Sequence, residues 1–110
     1  MRVLLDECLP KDLAGELRGH HVRTVPQAGW ASISNGKLLR LIADTGKLDV
    51  FLTMDKRLPH QNRVKDLSFA VVVLRAKSNR LEHIFPFALL LLRHLAEFKP
   101  GHAYILTPPD

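Results

Sequence analysis

Short apolar runs alternate with amphipathic segments along this chain, and this alternation is the strongest constraint on its fold. Most of the runs contain no regular alternation of polar and apolar residues, which predicts strands that are buried on both faces of a sheet. Strands separated by helices predict a mainly parallel sheet covered by helices on each face, an α/β three-layer sandwich. The predicted strands span residues 2–5, 22–25, 50–53, 70–74 and 102–107.

The segments between these strands predict three helices and one polar loop. Right-handed crossovers leave few topologies for such a chain, and we favour the spatial strand order 2-1-3-4-5. The first two segments are a helix over 10–18 that ends at Gly19 and a helix from Ser34 or Asn35 to Gly46. They are followed by a loop over 57–65 that could include a helical turn, and by a long apolar helix after Asn79 that Pro86 kinks or restarts.

Length and composition are those of one small basic domain. The chain has 110 residues, which fits a single domain over residues 1–110. Its net charge of +5 suits a polyanionic partner such as nucleic acid or an acidic protein, although solubility alone would also account for it. The single cysteine, Cys8, favours a reducing compartment, and no apolar run is long enough to span a bilayer. These features predict a cytoplasmic protein that does not enter a membrane.

Acidic residues follow the first and third predicted strands. Asp6 and Glu7 come directly after strand one, and Asp55 follows strand three after one intervening residue. In the order 2-1-3-4-5 these strand ends meet at the point where the winding direction reverses, which is where open α/β sheets bind ligands. Carboxylates held this close repel one another, and a hard divalent cation such as Mg²⁺ relieves that repulsion. The alternative is that Asp6 and Asp55 only cap the following turns.

The motifs in this order resemble those of PIN-like domains, and more closely the DUF5615 family of predicted PIN-like nucleases, which are discussed as toxin components of toxin–antitoxin pairs. The resemblance covers nearly the whole chain. It is carried by the segments LLDECLP, S-x-S-N-x-x-L-L-x-x-A, VFLTMDK and VVVLR.

This resemblance implies a Mg²⁺- or Mn²⁺-dependent ribonuclease, with RNA as substrate and an antitoxin protein as partner. It implies that Asp6 and Asp55 are metal ligands, and that Glu7 orients water or a second metal ion. Asn35 stands where such proteins carry an aspartate, and could ligate only through its amide oxygen. Ser34 and Thr53 would support this site.

Two departures from the family pattern weaken the expected metal binding. Asn35 brings no negative charge, and Arg57 stands where many members carry a further acid. With three carboxylates left, we expect one firmly bound ion, with any second ion brought by the substrate.

Basic residues follow the same strand ends and are expected to bind the RNA backbone. Those assigned to RNA binding are Lys56, Arg57, Arg75 and Arg80.

The leucine-rich segment 85–92 is more apolar than one buried helix face requires, which favours a homodimer over a purely internal role. Trp30 is typical of a lid over the core, although it could stack on a base.

Two other functions stay open from the sequence. A PIN-like domain that has lost catalysis could bind RNA or a protein partner without cleaving it. A phosphoacceptor receiver domain shares the strand order and the positions of the acids, but it needs a lysine after its last strand, and residues 104–109 contain none.

Overall fold

Five parallel strands form one sheet in the order β2-β1-β3-β4-β5, as predicted. The computed structural model describes residues 1–109. Five α-helices and two short 3-10 turns connect the strands. The elements are β1 Arg2–Leu5, α1 Leu13–Glu16, β2 His21–Thr24, α2 Asn35–Thr45, β3 Val50–Thr53, α3 Leu58–Gln61, a 3-10 turn Val64–Asp66, β4 Ala70–Leu74, α4 Leu81–Ile84, α5 Pro86–His94, a 3-10 turn Leu95–Glu97 and β5 Ala103–Leu106.

The sheet separates two hydrophobic clusters, which confirms the three-layer architecture. Successive strand residues point to opposite faces, so Val3 and Leu5 of β1 enter one cluster and Leu4 enters the other. The first cluster lies under α1, α4 and α5, and the second lies under α2 and α3. Every residue of β3 and β4 is buried. The unbroken apolar runs in the sequence are therefore those of strands covered on both faces.

The helices differ from the sequence prediction in length more than in position. The predicted helix over 10–18 is reduced to α1, because Gly15 lowers helix propensity and the preceding residues form only i→i+3 turns. The stretch over 57–65, predicted as a loop that could include a helical turn, contains the four-residue α3. Pro86 restarts the last helix as predicted, and Gly46 ends α2 in a left-handed conformation with φ 63°.

Asp49 fastens the start of β1 to the start of β3. Its carboxylate accepts a hydrogen bond from the Arg2 backbone N–H at 2.7 Å, and the Arg2 guanidinium lies 3.4 Å from the same oxygen. The Arg2 backbone N–H, followed by the Arg2 side chain, lowers the pKa of Asp49 below its ordinary value. The charged carboxylate therefore contributes stability above the pKa of the unfolded chain, about 3.9, and this contribution is lost as the pH falls through the folded-state pKa.

We expect Asp49→Asn to lower the free energy of unfolding at pH 7 by about 0.5–1 kcal/mol, because the amide keeps the shape but loses the charge. Urea denaturation at pH 7, 5 and 3 checks this. The difference from wild type should be constant between pH 7 and 5 and should shrink by pH 3. A difference that grew as the solution was acidified would contradict the assignment.

Within residues 1–109, no helix has both the length and the apolar composition needed to cross a membrane.

Candidate functional site

The carboxyl ends of β1 and β3 lie side by side, and each is followed by an aspartate. Asp6 extends the β1–β3 ladder by one bond, because its backbone N–H donates to the Leu52 carbonyl at 2.9 Å. Asp6 as a whole is only 7% exposed. Asp55 lies two residues beyond the end of β3 and is half-buried. Both acids therefore occupy the reversal point at which parallel sheets bind ligands.

Thr53, the last residue of β3, links the two aspartates. Its hydroxyl donates to Asp6 Oδ2 at 2.6 Å and accepts a hydrogen bond from the Asp55 backbone N–H at 3.1 Å. Because Thr53 is 0% exposed, water does not compete for these bonds. The hydroxyl thus sets the orientation of Asp6 and the path of the turn that carries Asp55.

Asp55 is held by two donors from different elements. Its Oδ2 accepts a hydrogen bond from Asn35 Nδ2 at 2.6 Å, and its Oδ1 accepts one from the Arg57 backbone N–H at 3.0 Å. Asn35 is the first residue of α2, so this bond joins α2 to the end of β3. Asn35 thus turns its amide nitrogen toward Asp55, whereas the predicted metal contact uses the amide oxygen. The neighbouring Ser34 stands at the N-cap position without a side-chain capping bond.

Glu7 lies at the same edge but is tied to the loop before α2. Its Oε1 accepts a hydrogen bond from the Ser32 backbone N–H at 3.0 Å. Ser32 has a positive φ of 65°, a conformation that non-glycine residues seldom adopt. Glu7 therefore stabilises a strained turn while its exposed side chain borders the cleft.

These side chains line an open cleft with a volume of about 570 Å³. Four lining residues, Cys8, Met54, Ser78 and Asn79, were not predicted as site residues. Cys8 and Met54 are neighbours of predicted acids, whereas Ser78 and Asn79 come from a different loop. The latter two lie in the loop after β4, and the same rule that located the acids, residues that follow a strand, could have found them. Ser78 Oγ lies 2.6 Å from His83 Nδ1 and accepts the Arg80 backbone N–H at 3.1 Å. The lining residues are Asp6, Glu7, Cys8, Asn35, Met54, Asp55, Ser78 and Asn79.

The oxygen atoms that the cleft offers as ligands fit one hard divalent cation. Across residues 1–109, no three His, Cys, Asp or Glu side chains converge as a metal-binding group. Mg²⁺, however, usually binds through one or two protein carboxylates and completes its shell with water and phosphate oxygens. Each oxygen of Asp6 and Asp55 accepts one hydrogen bond from the protein, which leaves lone pairs for a cation. The set therefore suits a single Mg²⁺ or Mn²⁺ ion.

The four basic residues assigned to RNA binding are exposed and flank the cleft in sequence without lining it. Lys56 and Arg57 follow Asp55, and Arg75 follows the end of β4. Arg80 is paired with Glu82, with Nε and Oε1 3.2 Å apart, so its charge is partly neutralised. Of these four residues, Lys56, Arg57 and Arg75 form no ion pair within the described residues.

Cys8 is unsuited to act as a nucleophile. Burial raises the pKa of its thiol, and the negative charge of Asp6 raises it further. A thiol with a raised pKa is protonated at neutral pH and reacts slowly. Cys8 instead packs against the first hydrophobic cluster.

We expect Thr53→Val to lower the free energy of unfolding by about 1–3 kcal/mol, because Asp6 loses a donor and the Asp55 N–H loses an acceptor in a buried place. Urea denaturation measures the loss. In an Asp6→Ala background the same substitution should cost much less, because no buried carboxylate is then left without its donor. Equal costs in the two backgrounds would contradict the proposed link.

Comparison of the chain with family models, curated proteins and solved structures found no significant match.

Proposed function

We propose that this chain is a Mg²⁺- or Mn²⁺-dependent nuclease that hydrolyses phosphodiester bonds of single-stranded RNA. One observation carries the proposal: Asp6 and Asp55 are joined through the buried Thr53 hydroxyl at the reversal point of a parallel sheet. Two preorganised carboxylates facing an open cleft suit a cation that also binds a phosphate. The PIN-like resemblance of the sequence supports the same chemistry.

In this proposal each residue of the cleft has a defined task. Asp6 and Asp55 hold the ion, which when bound supplies positive charge to the phosphate and lowers the pKa of water. Asn35 donates to Asp55 and keeps that carboxylate turned into the cleft. Glu7, exposed at the rim, positions water and accepts its proton.

The surroundings of the cleft favour a flexible polyanion as substrate. The cleft is open, so a single strand can lie across it. In a double helix the bases are paired and stacked, and their edges are less accessible to a protein. Lys56, Arg57 and Arg75 are exposed and follow the ends of β3 and β4, where they can contact phosphates of the strand. An antitoxin protein as partner rests on the family resemblance alone.

A domain that binds RNA without cleaving it is the second candidate, and one contact favours it. The Asn35 amide already occupies one lone pair of Asp55, where a further acid would strengthen a metal site. The receiver alternative is weaker, because Thr107, Pro108 and Pro109 follow β5 and none of them provides the required ammonium group.

The test combines metal binding with RNA cleavage. Calorimetry with Mn²⁺ should give saturable binding near one ion per chain, and a 5′-labelled single-stranded RNA should be cut with Mn²⁺ but not with EDTA. RNA affinity should fall steeply with salt. Salt-dependent RNA binding without metal-dependent cleavage would support the second candidate instead. Labelling of Asp55 by acetyl phosphate would favour the receiver alternative.

A further inference from the structure

A second cavity lies along the edge strand β2, and none of its lining residues lines the cleft that carries the acids. Its volume is about 340 Å³, within the range of small-molecule sites. We call it the β2 pocket, because β2 forms its outer wall. Its lining residues are Arg2, Val3, Leu4, His21, Arg23, Ala28, Trp30, Ile42, Thr45, Lys47 and Leu48.

The period-two geometry of the strands explains why basic residues gather in the β2 pocket. Arg2 and Leu4 share one face of β1, and His21 and Arg23 share the same face of β2. The register pairs Arg2 with His21 and Leu4 with Arg23, so the side chains form one patch. This is the face that α2 covers only in part, because β2 is the edge strand.

Apolar side chains form the interior of the β2 pocket. Leu4 and Ile42 are buried, and Ala28, Trp30 and Leu48 pack half-buried against the same hydrophobic cluster. Trp30 is the only tryptophan of the chain. Its ring packs over the second hydrophobic cluster, as a lid would, and also lines a cavity that can still admit an apolar group.

The charges at the rim of the β2 pocket are mostly positive. Arg2 is paired with Asp49. Within the part of the chain that the structure describes, Arg23 and Lys47 form no ion pair, and the Arg23 guanidinium donates only to the Gln27 carbonyl at 3.0 Å. Two cations thus remain available beside an apolar cavity.

We propose that the β2 pocket binds a small ligand with an aromatic or other apolar body and an anionic head group. The body fills the space between Leu4, Ile42 and Trp30. The head group lies between Arg23 and Lys47. A neutral ligand would form no ion pair with these two cations. A fully polar anion would leave the apolar wall of the pocket in contact with water.

The β2 pocket is separate from the acidic cleft. Asn35 at the start of α2 lines the cleft, and Thr45 at its end lines the pocket. Ten helical residues separate their Cα atoms by about 15 Å along the axis. Ligand binding here therefore does not depend on the nuclease proposal.

The probe for this site is 8-anilinonaphthalene-1-sulfonate, which has an aromatic body and one sulfonate. Binding should quench the emission of Trp30 by energy transfer and should saturate at one dye per chain, as checked by calorimetry. N-phenyl-1-naphthylamine, which has the same aromatic framework without the sulfonate, should bind about tenfold more weakly or worse.

The double variant Arg23→Gln/Lys47→Gln should weaken binding of the sulfonate dye by about tenfold or more. The matched control is Lys37→Gln/Arg40→Gln, which removes the same charge from exposed positions of α2 that do not line the pocket. This control should bind the dye like wild type. Equal weakening by both double variants, equal affinity for the two dyes, or the lack of saturable Trp30 quenching would each overturn the proposal.

Discussion

Asp55→Asn is expected to abolish RNA cleavage by the folded protein, with a loss of about 100-fold or more in rate. The substitution removes one of the two carboxylates that would hold the cation, and an electrostatic contact that acts on the transition state is worth a factor of this size. The shape is unchanged, and the new amide oxygen can still accept the bond from Asn35. The hydrogen bond from the Arg57 N–H is lost. Apart from the cost of that bond, the free energy of unfolding should change by less than about 1 kcal/mol.

The measurement is a time course of single-stranded RNA cleavage with Mn²⁺, with circular dichroism to confirm folding. Asp66→Asn is the matched control, because Asp66 is an exposed acid paired with Arg63 and lies outside the cleft. Asp66→Asn should cleave like wild type. Asp55→Asn should keep or raise its affinity for RNA, since a negative charge is removed near the phosphates. Wild-type rates in folded Asp55→Asn would refute the nuclease proposal.

Phe87→Ala is expected to lower the free energy of unfolding by about 3–5 kcal/mol, enough to unfold a marginally stable domain. Phe87 is 0% exposed and fastens α5 to the first hydrophobic cluster. Leu89 lies two residues further along α5 and is 64% exposed. Leu89→Ala should therefore change the free energy by less than about 0.5 kcal/mol in a monomer. Urea denaturation of both variants, at equal protein concentration, makes the comparison.

The same pair of variants tests the homodimer expected from the sequence. The outer faces of α4 and α5 and the edge strand β5 carry exposed apolar side chains, namely Leu81, Phe85, Leu89, Leu92 and Ile105. In a dimer formed through these residues, Leu89→Ala would destabilise the protein, and the loss would depend on protein concentration. Such a result would contradict the small change expected for a monomer.

The positions of the strands could be predicted because they follow from local composition. Residues 50–52 and 70–74 are unbroken apolar runs, and the structure forms β3 over 50–53 and β4 over 70–74. The alternation of strands with helices and the right-handedness of crossovers left few strand orders, and the favoured one, 2-1-3-4-5, is the order observed. Given that order, the placement of Asp6 and Asp55 at neighbouring strand ends was already implied.

Side-chain contacts in the cleft could not be predicted in the same way. Nothing local requires the Asn35 amide to point its nitrogen toward Asp55, since the two residues are 20 positions apart in the chain. The shortening of α1 also depends on the low helix propensity of Gly15 and on tertiary packing. The spacing of apolar residues shows neither of these.

The α/β class could be predicted from the apolar runs because they are local features of the chain, and crossover handedness narrowed the strand order to a few choices, one of which brings two aspartates to the same edge. How those aspartates are held, and where the basic residues of β1 and β2 gather, depends on the tertiary structure. The hydroxyl of Thr53 joins Asp6 to the turn of Asp55 across two strands, 47 positions apart for the first bond. The β2 pocket depends on the register of Arg2 with His21 and on how much of that face α2 covers. Such contacts depend on packing between distant segments, which is fixed when the sheet and its helices come together.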